Sequence, residues 1–320
     1  MSTSGVGAKA KAGSGAGAPP PLDPSLTNQI GNALQSKGIA TTTRVTASAP
    51  MPAKIPTLQQ LQKMVQEITG PDAQMVKDLS PWPKGLTPHS VPFKYIPDGC
   101  YARAHMMIDR MQQDGYASSK IFAIGNLAAK NEVFPQGVSW WYHVAPLVEV
   151  DDNGTKRLVV VDPALNPGNP IMSPEDWAAA IDPSKGQVKL EITDPTQYYP
   201  MNGGAANPQA FNANIKPADG TCVKYTQTLN GMGVKAGAAP APGAEPAPAT
   251  HDLVENANVL DVTPNNEVHL HNSARRIKAT PDQAKTLLAA KKAGKAVHVH
   301  VSHAADASGF HTIGKITVAN

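Results

Sequence analysis

The sequence predicts an α+β fold: a main unit in which a helix precedes an antiparallel sheet, followed by a small C-terminal α/β unit. Two observations predict the main unit. A helical pattern begins at "DGCYARAHMMIDRM" (98–111), and three strand-like runs follow it, "KIFAIGNLA", "SWWYHVAPLVEV" and "RLVVVDPAL". The last two runs flank "DDNGTK", in which Asn-Gly is a strong hairpin signal, so they read as antiparallel neighbours. Helix first and strands after, with no regular alternation, is the α+β pattern. A third observation separates the C-terminal unit: "GVKAGAAPAPGAEPAPAT" (233–250) has the composition of a semi-extended linker.

The bulk numbers exclude several classes. The chain has 320 residues, 28 Lys+Arg against 25 Asp+Glu, a net charge of +3 and only 17% charged residues. A dedicated nucleic-acid binder concentrates basic charge, and this balance argues against one. No run of about 18 apolar residues is present, so no membrane span is expected. The two cysteines, Cys100 and Cys222, form neither a disulfide framework nor a CxxC motif, and they leave the redox compartment open.

Residues 1–55 are rich in Ala, Gly, Ser, Thr and Pro and nearly free of acid, so a disordered segment is expected. The lysines of "MSTSGVGAKAKAGSGAGAPPPL" precede no apolar run, so the start does not read as a secretory signal peptide. The expectation is a cytoplasmic protein, or one exported without a cleaved signal. The acid-poor start suggests a bacterial effector that acts on the proteins of another cell.

Residues 56–79 read as a helical lead-in. Thr57 and Gln60 form a capping box, Leu58, Leu61, Met64, Val65 and Ile68 make an apolar stripe, and Gly70-Pro71 ends it. Residues 80–232 form the main domain, in which "MSPEDWAAAI" is a further short helix capped by Ser173. Residues 251–320 contain strand-like "NEVHLHN" and "KAVHVHVSH". The helix between them opens with a Thr280/Gln283 capping box and closes near Gly294, which suggests a βαβ-like unit. Seven of the ten histidines lie in this unit. His269 with His271, and His298 with His300, alternate on strand faces and would form a zinc- or nickel-type set if the strands paired. The simpler reading puts valines inward and these histidines in water, and no metal is assigned.

The chemistry-bearing candidates lie in the main domain. Cys100 follows Asp-Gly at a helix start, where free N–H groups and the helix dipole favour a thiolate and can hold an oxyanion. Asp98 is placed to cap this helix. The competing reading is a small buried apolar cysteine. His143 lies mid-strand, where an unpartnered imidazole is costly; a structural histidine bonded to a carbonyl is the alternative. Asp162 ends the next strand, and a hairpin centred near Asn153 pairs position 143 with about 163, which brings the carboxylate near the imidazole. Its alternative role is to end a strand before Pro163. Alternation puts Trp141 on the His143 face, either lining a cleft or, more simply, in the core.

The order Cys…His…Asp, with gaps of 43 and 19 residues, is more specific than any one member. In "DGCYARAH", "WYHVAPLV" and "VVDPAL" the chain resembles the bacterial protein glutaminases, also called protein-glutamine deamidases, over roughly residues 80–230. The resemblance implies a transglutaminase-like, papain-like core with an antiparallel sheet packed on the cysteine-bearing helix. It implies Cys100 as nucleophile, His143 as general base and acid, and Asp162 as its orienter. The implied reaction hydrolyses a protein-bound glutamine to glutamate, releases ammonia through a thioester, and needs no cofactor. The partners would be proteins or peptides with an accessible glutamine. The secreted members of the family carry a signal peptide and a pro-region, and 251–320 lies outside the resemblance. A transglutaminase or a thiol protease fits the same triad, and a non-catalytic interaction protein with a His-rich tail is the reading from another class.

Overall fold

The computed structural model describes residues 24–36, 38–44, 54–69, 91–183, 188–200, 211–234, 251–302, 305–306 and 308–319. In chain order the elements are α1 (Pro24–Ser36), β1 (Ala40–Arg44), α2 (Leu58–Thr69), α3 (Cys100–Gln113), β2 (Ser118–Ala129), β3 (Val138–Asp152), β4 (Thr155–Val161), β5 (Ile171–Met172), α4 (Pro174–Ile181), β6 (Lys189–Thr193) and α5 (Ile215–Gly231). The C-terminal half adds β7 (His251–Ala257), β8 (Val259–Val262), β9 (Glu267–Leu270), β10 (Ile277–Lys278), α6 (Pro281–Lys292), β11 (Val297–Ser302) and β12 (His311–Val318). No helix among the described residues is long and apolar enough to cross a membrane.

The fold is α+β, with two mixed six-stranded sheets. The first runs β1-β6-β2-β3-β4-β5, antiparallel except for the parallel β1–β6 pair. The turn between β3 and β4 forms as its sequence predicts: Asn153 and Gly154 take positive φ (56° and 87°), and Asp152 pairs with Thr155. The resulting register is one residue out from a hairpin centred on Asn153. The ladder ends at Leu147↔Val160, while Val160 and Val161 pair with β5 on the other edge of β4. The β3 edge beyond Leu147 is therefore left open to other partners.

Helix α3 lies against β3 and α5. It buries Tyr101, Ala104, Met107, Ile108 and Met111 in the main core. Its start differs from expectation. Asp98 makes no side-chain cap, because Gly99 is the N-cap, held at φ 80°. A Cβ at Gly99 would fall 2.7 Å from Cε2 of Tyr225, so the site needs glycine for space as well as for φ. Arg103 steadies the preceding loop by donating to the carbonyls of Tyr95 and Asp98, each at 2.7 Å.

The N-terminal segment differs from the expected disorder over residues 24–44. In α1, Leu34 is buried in the main core and Ile30 packs against it. β1 is the sequence Ala-Thr-Thr-Thr-Arg, and its backbone pairs with β6 from Ala40↔Lys189 to Arg44↔Thr193. The low average hydropathy of the region conceals a short β-branched run that a sheet edge can stabilise. The capping box of α2 forms as expected, with Thr57 and Gln60 bonded reciprocally. The chain entering α2 bonds to β3 near Asp151, at the end of the strand remote from His143. Gly70-Pro71 and the proposed linker from 235 to 250 lie outside the described residues.

The second sheet runs β7-β11-β12-β10-β9-β8 around its own core, which includes Leu270, Leu287, Val297, Val299 and Val301. The capping box at Thr280/Gln283 is present, and Gly294 ends α6 at φ 64°. The βαβ expectation is too small: the only parallel pair among the described strands of this sheet joins β10 to β12, and β9 and β11 are separated by both. Two strands thus lie between β9, which carries His269, and β11, which carries His298 and His300. Among the described residues no group of three or more His, Cys, Asp or Glu is placed to hold a metal.

Replacing Gly99 with Ala adds left-handed strain and a clash with Tyr225, and is expected to cost about 1–3 kcal/mol. Urea unfolding of Gly99→Ala against wild type measures it; an unchanged midpoint would contradict this account of the α3 start.

Candidate active site

Cys100, His143 and Asp162 lie within one buried region, at 2%, 1% and 3% exposure. Cys100 is the first residue of α3, and its thiol meets the backbone N–H of Val144, the residue that follows His143 on β3. His143 Nε2 is 2.7 Å from Asp162 Oδ2. Its Nδ1 is buried without a hydrogen-bond partner. The ring is fixed in orientation, stacked on Trp140 at 4.5 Å and on Trp177 at 5.8 Å between centroids.

Asp162 is held from several sides. Trp177 Nε1, on α4, donates to Oδ2 at 2.9 Å, and the Leu165 N–H donates to Oδ1 at 3.2 Å. Burial pushes this carboxyl up, but the His143 ring, the Trp177 donor and the Arg103 charge outweigh it and hold it below its usual range. α4 is present because Ser173 caps it, accepting the Asp176 N–H at 3.1 Å. The sequence signals for that helix were visible, but nothing in them marks Trp177 as a partner of Asp162.

The thiol does not behave as its helix-start position alone suggests. Burial pushes Cys100 up to about 12, with Arg103 opposing and Asp98 adding to the rise. Desolvation outweighs the first-turn dipole, so the covered thiol is protonated at neutral pH. Cys222 is also buried and also pushed up to about 12, and the two cysteines are free.

Trp141 is not on the His143 ring. β2 carries a bulge between Ile124 and Leu127, opposite residues 140–142. In this stretch it is Trp140 that stacks on His143. Trp141 stacks on His269 of the C-terminal unit at 5.0 Å, and its Nε1 donates to the Ser273 carbonyl at 2.8 Å.

His105 stands apart from this site. Its Nε2 is 3.0 Å from the Phe211 carbonyl, and its Nδ1 is 3.1 Å from the buried Lys120 amine, which also donates to the Gln197 carbonyl at 2.7 Å. Burial pushes Lys120 down to about 7, with Asp194 opposing.

Residues 61–181, which contain all three candidates, match a glutamine-deamidase family model described as glutaminase. The chain resembles the protein-glutaminase family. Among solved structures, a crystal structure of protein-glutaminase is 24% identical, with 62% of this chain and 97% of that one covered and a TM-score of 0.45. A crystal structure of pro-protein-glutaminase is 21% identical over 69% of this chain and 74% of that one, at a TM-score of 0.45. The NMR structure of protein-glutaminase from Chryseobacterium proteolyticum is 26% identical over 60% and 95%, at 0.42. A search of the curated proteins found no match.

Lys120 yields a pH prediction. Its folded amine loses its proton near pH 7, whereas in the unfolded chain it does so near 10.5, so the unfolded state binds more protons between these values. Its contribution to stability therefore rises with pH from about 7 to about 10.5. Urea unfolding at pH 7 and pH 9 should show roughly 2 kcal/mol less of this rise in Lys120→Met than in wild type. An identical pH dependence in the two proteins would contradict a depressed Lys120.

Proposed function

We propose that the protein is a cysteine amidohydrolase that deamidates protein-bound glutamine to glutamate. The observation that carries this is the set of the His143 ring: Nε2 is held by Asp162, while Nδ1 is left free beside the strand position that meets the Cys100 thiol. A structural histidine uses both nitrogens, or turns the unused one to water; a general base needs one nitrogen anchored and the other open. The family match over 61–181 supplies the substrate class.

In this reading the Cys100 proton passes to His143 Nδ1, and the sulfur attacks the side-chain carboxamide carbon of glutamine. A C–S bond forms and the carbonyl becomes an oxyanion, which the N–H groups of the first α3 turn can receive. The imidazolium, stabilised by Asp162, returns its proton to the departing nitrogen; the C–N bond breaks and ammonia leaves a thioester. His143 then takes a proton from water and hydroxide adds to the thioester carbonyl; the C–S bond breaks, the imidazolium returns its proton to sulfur, and glutamate leaves the regenerated thiol. Asp162 stays ionised throughout and fixes the tautomer. No metal or organic cofactor takes part in these steps, and the core would be of the transglutaminase type.

Ammonia release from a glutamine-containing peptide and from an unfolded protein tests the reading. Cys100→Ala is expected to reduce it to background, and Asp162→Asn to lower kcat about 10²–10⁴-fold with the fold retained. Added primary amine should remain unincorporated; efficient amine coupling would replace hydrolysis with transglutamination. Equal release by wild type and Cys100→Ala would remove the cysteine from the mechanism.

A further inference from the structure

The candidate nucleophile is nearly inaccessible, and a segment from the far end of the chain bonds to the residues on either side of it. The connection between β9 and β10, residues 271–276, reaches across to the open edge of β3. Connections normally lie on the surface, where water satisfies their backbone. In this one Ser273, Ala274 and Arg275 are all 0% exposed.

Its backbone is held as an added strand. Arg275 forms an antiparallel bridge with Trp140. The Trp141 N–H donates to the Ala274 carbonyl at 3.0 Å, and the Arg276 N–H to the Ser139 carbonyl at 3.3 Å. The Ala274 N–H donates to Asp98 Oδ1 at 3.1 Å, and Tyr101 Oη donates to the Asn272 carbonyl at 3.1 Å. Asp98 and Tyr101 flank Cys100 in the chain, so the segment lies over the start of the nucleophile helix. These bonds fall on main-chain atoms, and any extended peptide could make them.

Side-chain recognition enters at two positions. Ser273 Oγ donates to Asp98 Oδ2 at 2.8 Å. The Arg275 guanidinium donates to Tyr95 Oη at 2.7 Å and stands 3.9 Å from Asp98 Oδ2. A buried carboxylate beside a phenol oxygen is a subsite for a cationic side chain.

We propose that His271–Arg276 occupies the substrate groove in cis. Protein substrates would bind there as extended segments along the β3 edge, with a cationic side chain at Asp98 and Tyr95, once the C-terminal unit has been displaced. This rests on Cys100 being the nucleophile of the proposed deamidation. It makes the C-terminal unit a cover over the site and its β9–β10 connection an internal substrate mimic.

The test uses the full chain and reads Cys100 alkylation by iodoacetamide, located by peptide mass mapping. Arg275→Glu places a like charge against Asp98 and is expected to label at least about tenfold faster than wild type. Arg275→Ala serves if Arg275→Glu loses its circular dichroism spectrum. A synthetic peptide of residues 268–279 should then slow labelling of the variant, and the same peptide with Glu at 275 should not. Labelling of wild type as fast as the variant overturns the cover, and equal protection by the two peptides overturns the cationic subsite. The readouts separate this proposal from the deamidase reading. Faster labelling without ammonia release from either protein removes the deamidation and keeps the groove. Ammonia release by wild type at the rate of the variant keeps the deamidation and removes the cover.

Discussion

The hydrogen bond between His143 and Asp162 constrains the geometry of the whole main unit. Both groups are buried, and a buried carboxylate that loses its partner costs about 3–5 kcal/mol. Asp162 cannot stay in the β3–β4 ladder and also meet this ring. The ladder stops at Leu147↔Val160, Asp162 donates its own N–H to Pro170, and Trp177 from α4 holds its carboxylate. The divergence opens the edge of β3 from Ser139 to Val144. Open backbone in the interior has to be satisfied, and here it is met by the start of α3 and by the 272–276 segment. The position of the cysteine and the docking of the C-terminal unit thus share one cause.

The same enclosure explains the state of the thiol. A helix start favours a thiolate where water also reaches it, but the dipole contribution is small beside the cost of a dry anion. Cys100 is accordingly pushed up to about 12 while covered. In the function proposed above, the covered protein would be a resting form: the general base is set and oriented, and admission of water and substrate returns the thiol toward its ordinary range. A charge pair within the C-terminal unit braces the β9–β10 connection against β9. Glu267 accepts bidentately from Arg276 at 2.9 and 3.0 Å and lies 3.5 Å from His269. Burial raises its carboxyl, yet the His269 and Arg276 contacts overcome this and bring it down to about 2.

Much of the local structure could be read in the chain. Two capping boxes, the Ser173 cap and the Asn-Gly turn act over a few residues and form as their chemistry requires. The three candidate residues were also legible, because a cysteine at a helix start, an imidazole mid-strand and a carboxylate at a strand end are each locally anomalous. Other features were hidden. The α1 and β1 elements were masked by a composition average, and simple alternation along β3 does not tell that Trp140, and not Trp141, stacks on His143. Asp98 looked like a cap because its spacing allowed one; its carboxylate is instead taken by Gly99, Ser273 and Ala274.

By itself the sequence determined the α+β class, the run α3, β2, β3, β4 and α4 within the main unit, and the residue types available for a Cys-His-Asp arrangement, while β5, β6 and α5 gave no signal that was read. These follow from periodicity, caps and turn residues, which are interactions between near neighbours. Only the tertiary structure decided which nitrogen of His143 is held, that Trp177 orients Asp162, and that the cysteine is covered and protonated. It alone joined residues 98–101 to 272–274, across 171 to 176 positions of chain. Such pairings depend on where a ladder stops and which edge it leaves open, and no local pattern encodes that.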